Sequence, residues 1–220
     1  MKRLLLLACT FVSFATISQA QISKGSILLG GTIGFSNAKN EDDINNGKSN
    51  TINFNPTVGI AIKENWVMGI SAGFSSYKED PSIHYSYKRD GESYSGGLFV
   101  RRYSAIGKNF YLYGNGAVTY NQVDQSQTNS ASTHENYYHS KGITLSIAPG
   151  IAYAINKWFH LEASLNNLLT AGYTTSDQRN ITLNNGVTSS SSIKSKSFGF
   201  GTNLNPTSSL CIGVRFVLGK

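Results

Sequence analysis

The sequence predicts an all-β fold of eight antiparallel strands, on three observations. Apolar residues recur at every second position in segment after segment, the period of a strand rather than of a helix. The face opposite them is built of Gly, Ala, Ser, Thr and Asn with isolated charges. The links between segments are short and long by turns, which is how a chain runs up and down through a membrane as a closed β-barrel. Composition agrees. Charged residues are 14% of the 220, against about 25% in an ordinary soluble domain. Aromatics are 11%, too many for a disordered chain. No run after the N-terminus approaches the roughly 18 apolar residues of a transmembrane helix.

Residues 1–20 stand apart. Met1-Lys2-Arg3 is a basic start, Leu4 to Ile17 an apolar run, and Ser18-Gln19-Ala20 a small-x-small cleavage site. This is the plan of a cleaved secretory signal peptide, so the barrel is expected over residues 21–220. A spanning helix would need a longer run. Lipidation at Cys9 would need a longer apolar stretch before it. Cleavage removes Cys9, so no intramolecular disulfide is expected of Cys211.

The first strand is expected at about 26–37, where Ile27, Leu29, Ile33 and Phe35 alternate with Leu28, Gly30, Thr32 and Gly34. In the second, 49–62, Ile52, Phe54, Val58 and Ile60 oppose Asn53, Asn55, Thr57 and Gly59. In the third, 66–77, Trp66, Met68, Ile70 and Phe74 oppose Val67, Gly69, Ser71 and Gly73. The fourth, 93–104, is less regular, with Leu98 and Val100 against Phe99, Arg101 and Tyr103. The fifth, 110–121, sets Phe110, Leu112, Val118 and Tyr120 against Tyr111, Tyr113, Asn115 and Thr119. The sixth, 141–155, sets Ile143, Leu145, Ile147, Ile151 and Tyr153 against Thr144, Ser146, Ala148, Gly150 and Ala152. The seventh, 158–172, sets Phe159, Leu161 and Leu165 against His160, Glu162 and Ser164. The eighth, 197–218, is the longest. Its apolar parity runs from Phe198 to Leu218 across Pro206, where a bulge or rim position is expected. The links at 63–65, 105–109 and 156–157 are short; those at 38–48, 78–92, 122–140 and 173–196 are long and polar. Eight strands put both termini at the short-turn end.

Periodicity does not say which face looks outward. A soluble barrel buries its large apolar side chains inside, and a transmembrane barrel turns them to lipid. The small-residue face here lacks the Lys and Glu of a soluble exterior and fits a tight lumen. Length fits as well: Ile143 to Ile155 is 13 residues, about 43 Å of strand, reaching about 30 Å when tilted by about 45°, the thickness of the hydrocarbon core. The short turns lead into Trp66, Phe110, Trp158 and Phe159, which are expected to form an aromatic girdle at the headgroup level.

Phe99-Val100-Arg101-Arg102-Tyr103 and Tyr111-Leu112-Tyr113-Gly114-Asn115 resemble strand ends of the small eight-stranded outer-membrane barrels of Gram-negative bacteria, of the OmpX and OmpA-barrel kind. The C-terminal run Cys211 to Leu218 resembles that family's insertion signal, polar-x-Gly-x-x-aromatic-x-hydrophobic. Gly213, Phe216 and Leu218 match it; Cys211 is a poor polar residue, and Gly219-Lys220 trail the usual end. The resemblance covers the whole chain after residue 20 as a pattern. It implies an outer-membrane location, contact with lipid and lipopolysaccharide, recognition by the barrel assembly machinery, and a monomer.

By parity Arg101, Glu162 and Arg215 face inward. They are expected to form an ion-pair network in the lumen, with Tyr111, Tyr113, Asn115 and His160 hydrogen-bonding around it, because buried charges must be paired. His160, Glu162 and Ser164 share that face and could in principle make a base, an orienter and a nucleophile, but they face the lumen near the short turns, where no lipid substrate would reach. Glu41-Asp42-Asp43 and the other loop acids read as solvated. His84, His134 and His139 show no metal spacing. The net charge of +7 is scattered rather than striped, so no nucleic acid is expected, nor any cofactor or catalysis. The expected role is structural or surface-interacting, through four extracellular loops with an unknown ligand. The alternative is a narrow porin-like channel. A lipid-modifying barrel enzyme and a soluble lipocalin-like carrier follow behind.

Overall fold

A computed structural model describes residues 22–42, 45–80, 87–129, 134–165, 168–184, 187–202 and 210–219. The signal segment, Asp43, His84 and Pro206 lie outside the described residues. The strands are β1 (Ile27–Asp42), β2 (Asn45–Lys63), β3 (Trp66–Asp80), β4 (Tyr87–Ala105), β5 (Phe110–Asn129), β6 (His134–Ala154), β7 (Phe159–Leu165), β8 (Leu169–Asn184), β9 (Val187–Thr202) and β10 (Leu210–Leu218). Every pairing is antiparallel. β1 to β7 and β10 close into a ring of eight through the β1–β10, β10–β7, β7–β6 and β6–β5 ladders.

Ten strands stand where eight are expected, while the ring itself closes through eight. The expected seventh strand is divided into β7 and β8, and the expected eighth into β9 and β10. β6 holds β8 along His134–Ile147 and β7 along Gly150–Ala154, and Pro149 sits at the change of partner. Proline has no N–H to give a ladder, so pairing is weakest there. The register of β6 slips by two residues between these partners. An even slip leaves each side chain on its own face, so Leu165 and Leu169 both still point outward.

The division leaves a seam. β10 pairs with β1 only over Ile27–Ile33. Beyond that, among the described residues, β1 has only β2 and β9 has only β8. Phe35 and Phe198, near the two sides of the seam, are 72% and 75% exposed, against about half for most outward apolar residues.

The strands also run further than their apolar stripes. β4, β5 and β6 have 19, 20 and 21 residues, so much of the expected loops 78–92 and 122–140 is paired hairpin. Polar side chains satisfy a ladder as well as apolar ones once the strands stand in water. At the other end the turns are tight. Asn65 takes a left-handed φ of 60° in the β2–β3 turn, a conformation that asparagine tolerates.

Candidate functional site

The lumen gathers its polar side chains into one cluster in the half nearer the short turns. β7 brings Glu162, β10 brings Arg215 and β4 brings Arg101; period two turns all three inward, and all are buried. Arg101 donates through Nη1 to both Glu162 oxygens, at 3.0 and 2.8 Å. Arg215 donates from Nε to Oε1 at 2.8 Å and from Nη2 to Oε2 at 2.9 Å, a two-pronged clamp. The Tyr103 hydroxyl donates to Glu162 Oε1 at 2.8 Å. Arg101 Nε reaches Asn115 Oδ1 at 3.1 Å, and Arg215 Nη1 reaches Thr57 Oγ1 at 2.9 Å. The Tyr113 ring lies under the Arg101 guanidinium, 4.4 Å from its centre, a cation–π contact. Directly or through the arginines, one carboxylate thereby ties together strands from both halves of the chain.

Not every expected member hydrogen-bonds in this cluster. Tyr111 and His160 stack on one another, with centroids 5.6 Å apart and planes 19° apart, and His160 Nδ1 is buried without a partner among the described residues. Tyr113 serves through its ring face and also hydrogen-bonds Ser164. Tyr103 and Thr57, by contrast, belong to the cluster and were not anticipated. Tyr103 shares the parity of Arg101 two residues away, which was the available signal. Thr57 is separated by 158 positions from Arg215, and its inward parity was the one signal it gave. Ser164 is buried beside the cluster, and both oxygens of Glu162 are engaged by the arginines and Tyr103.

Beneath the cluster lies an apolar floor. Leu28, Val67, Phe99, Tyr103 and Val217 are buried together with Ile22, which lies ahead of β1. Ile22 is pinned to the β2–β3 turn: its N–H donates to Asn65 Oδ1 at 3.1 Å, and its carbonyl accepts from Asn65 N–H at 3.0 Å. Above the cluster is a vestibule of about 270 Å³ lined by Thr32, Asn55, Ser95, Asn121 and Ser146 among others, with Arg101, Glu162 and Arg215 also in its wall.

The expected girdle residues lie near the short turns. Trp158 stacks on Phe216 at 6.0 Å and 11°, Phe159 meets Phe216 at 5.1 Å, and Phe110 meets Tyr153 at 4.7 Å. Trp66 stands between Lys63 and Arg102, at 5.5 and 5.4 Å. Of the C-terminal signal residues, Phe216 and Leu218 are outward and exposed. Gly213 faces inward against β1, where an added Cβ would lie 2.5 Å from the Gly31 carbonyl oxygen.

Outward apolar side chains, inward charges in pairs and a closed ring reverse the polarity of a soluble protein. Among sheets only a closed ring satisfies its backbone in lipid, and this one has the build of an outer-membrane-type β-barrel. Comparison with solved structures gives similar barrels. A major outer membrane protein from Thermus thermophilus is 11% identical, with a TM-score of 0.49, covering 91% of this chain and 100% of that one. The outer membrane protein OprG from Pseudomonas aeruginosa is 13% identical, with a TM-score of 0.48, over 90% and 98%. Neisserial surface protein A (NspA) is 14% identical, with a TM-score of 0.40, over 90% and 99%. No curated protein matches the sequence. Residues 29–212 match a family described as a family of unknown function, DUF6850, and with that span, nearly the whole barrel, the chain belongs to it.

Proposed function

We propose that this barrel is a sealed, structural wall element of the outer membrane that carries extended hairpins to the cell surface. The closed lumen carries the reading. A polar clamp of Arg101, Glu162 and Arg215 and an apolar cluster of Leu28, Val67, Phe99 and Ile22 pack the lumen toward the short-turn end, which supports an interior without a through-path for water. A filled lumen of this kind fits eight strands, whose interior is just wide enough for side chains, and is the interior expected of the OmpX and OmpA kind that the sequence resembles. The reading takes the protein to be a monomer inserted by the barrel assembly machinery, with no catalytic role. Glu162, the buried carboxylate among the described residues, is committed to two arginines, and a general acid or base needs a free one.

The vestibule favours a second reading, a narrow channel gated at the clamp. Planar-bilayer recording on the purified full chain separates the two. The sealed barrel gives no step conductance, and neither does Asn121→Ala in the vestibule wall. Steady single-channel steps from the wild type would replace the sealed reading with the channel.

A further inference from the structure

The outer wall of β6, β8 and β9 changes from apolar to cationic along a single track. Leu145, Ala171 and Phe200 form one row of the ladder, and Ile143, Tyr173 and Phe198 the next. The row above is Lys141, Thr175 and Lys196, followed by His139, Asp177 and Lys194. All share the outward parity. The first of these rows lines an apolar recess of about 540 Å³ that continues across β5 to Leu98 and Met68. Gly116 lies in this recess, and a Cβ there would meet nothing within 4 Å, so its bare backbone leaves the recess open. Higher on the same wall a second recess of about 340 Å³ is lined by Tyr137, His139, Asp177 and Arg179.

Depth places the cations at an interface. Tyr153, in the lower aromatic belt, and Lys141 are separated by about 40 Å of β6. At a tilt of about 45° this is about 28 Å of height, just beyond a lipid-facing band of about 25 Å. Lys141 and Lys196 are two strands apart, about 10 Å, and among the described residues neither forms an ion pair, whereas Lys194 is 4.0 Å from Asp177. Charge is divided around the barrel. The same tier of β4 and β5 carries Asp90, Glu92 and Asp124, with Lys88 held 3.4 Å from Asp90, so net positive charge at this level falls on β6, β8 and β9.

We propose that this track seats one molecule of lipopolysaccharide. Its acyl chains lie in the recess over Gly116, the phosphates of its head meet Lys141 and Lys196, and its sugars rest against Tyr137 and Arg179. The row stands at the long-hairpin end, the extracellular side, so the facing leaflet is the glycolipid one. The recess spans β3 to β9, a width suited to several acyl chains on one head, and two separated cations suit a head with more than one phosphate.

The test uses the purified full chain in mild detergent, incubated with bis-phosphorylated lipid A or with phosphatidylglycerol and read by native mass spectrometry. The wild type retains lipid A in preference to phosphatidylglycerol. The K141E/K196E pair loses retention by about tenfold or more. Gly116→Leu, which fills the recess and leaves the charges in place, also lowers it. K78E/K88E, the same charge change on the other sector, retains lipid A as the wild type does. A heat-shifting gel band shows that each variant is folded. Equal retention by the wild type and K141E/K196E, or equal retention of the two lipids by the wild type, overturns the proposal.

Discussion

Glu162 answers two guanidinium groups with one carboxylate, so the buried cluster keeps a net positive charge and depends on a single residue. Deleting the carboxylate strands both arginines in a space they share with Val67, Phe99 and Tyr103. An ion pair broken in this way costs about 3–5 kcal/mol, while replacing all its members with apolar side chains of similar size can cost nothing. Glu162→Leu is therefore expected to lower the stability of the refolded barrel by that amount, seen as a fall in its urea midpoint in lipid vesicles. The triple change Arg101→Met, Glu162→Leu, Arg215→Met should recover most of the loss. An unchanged midpoint in Glu162→Leu would show that water already screens the cluster. The three charged positions could be read from the sequence because a charge on a small-residue face has nowhere to go but the lumen. Tyr103 and Thr57 were harder to read. A tyrosine or threonine at an inward position is unremarkable until the height of its strand relative to the others is known, and register between distant strands leaves no trace in a single sequence. The same ignorance hides the stacking of Tyr111 on His160.

Strand identity follows from alternation, but strand extent does not. The faces of all the expected segments, from Ile27 and Leu28 to Phe216 and Val217, could be read because lipid and lumen impose opposite polarity on neighbouring residues. Beyond the membrane both faces are wet, alternation vanishes, and the paired ends of β5 and β6 look like loop. The partner change at Pro149 was equally hidden, since alternation passes through it undisturbed. The wet hairpin has its own contact: Asp124 and His139 are register partners joined by a side-chain hydrogen bond. The hydrogen bond from His139, and then that from Gln122, hold the Asp124 carboxyl below its ordinary range. A carboxyl lowered by folding stabilises the hairpin above the ordinary carboxylate range and loses that contribution as pH falls through the lowered value. Asp124→Asn should thus weaken amide protection of Gln122–Thr128 relative to the wild type at neutral pH, by no more than about 1 kcal/mol for so exposed a pair. The difference should close under strong acid. A difference that persists there would assign it to something other than the carboxylate charge.

At the scale of the whole molecule, the barrel has two unlike ends. One is tight: turns of a few residues, an aromatic belt, and Ile22 drawn into the floor. The other is a set of long paired hairpins with a seam between β9 and β1. Both the sealed-lumen reading and the lipid seat require the hairpin end to face the cell exterior, so orientation is the claim on which they stand together. It can be checked with single cysteines in a Cys211→Ser background. Thr128, exposed near the tip of the β5–β6 hairpin, and Lys157, exposed in the β6–β7 turn, are as far apart along β6 as the strand allows. A membrane-impermeant maleimide added to intact cells should label Thr128→Cys and leave Lys157→Cys untouched until the outer membrane is opened. The reverse pattern would turn the barrel over and place Lys141 and Lys196 in the periplasmic leaflet, where lipopolysaccharide does not reside. Labelling of neither position in intact cells, with both reactive in a soluble fraction, would mean that the apolar wall faces something other than lipid. The half-exposed stripe from Ile33 to Ile212 would then need a protein cover that the ring of eight strands does not supply.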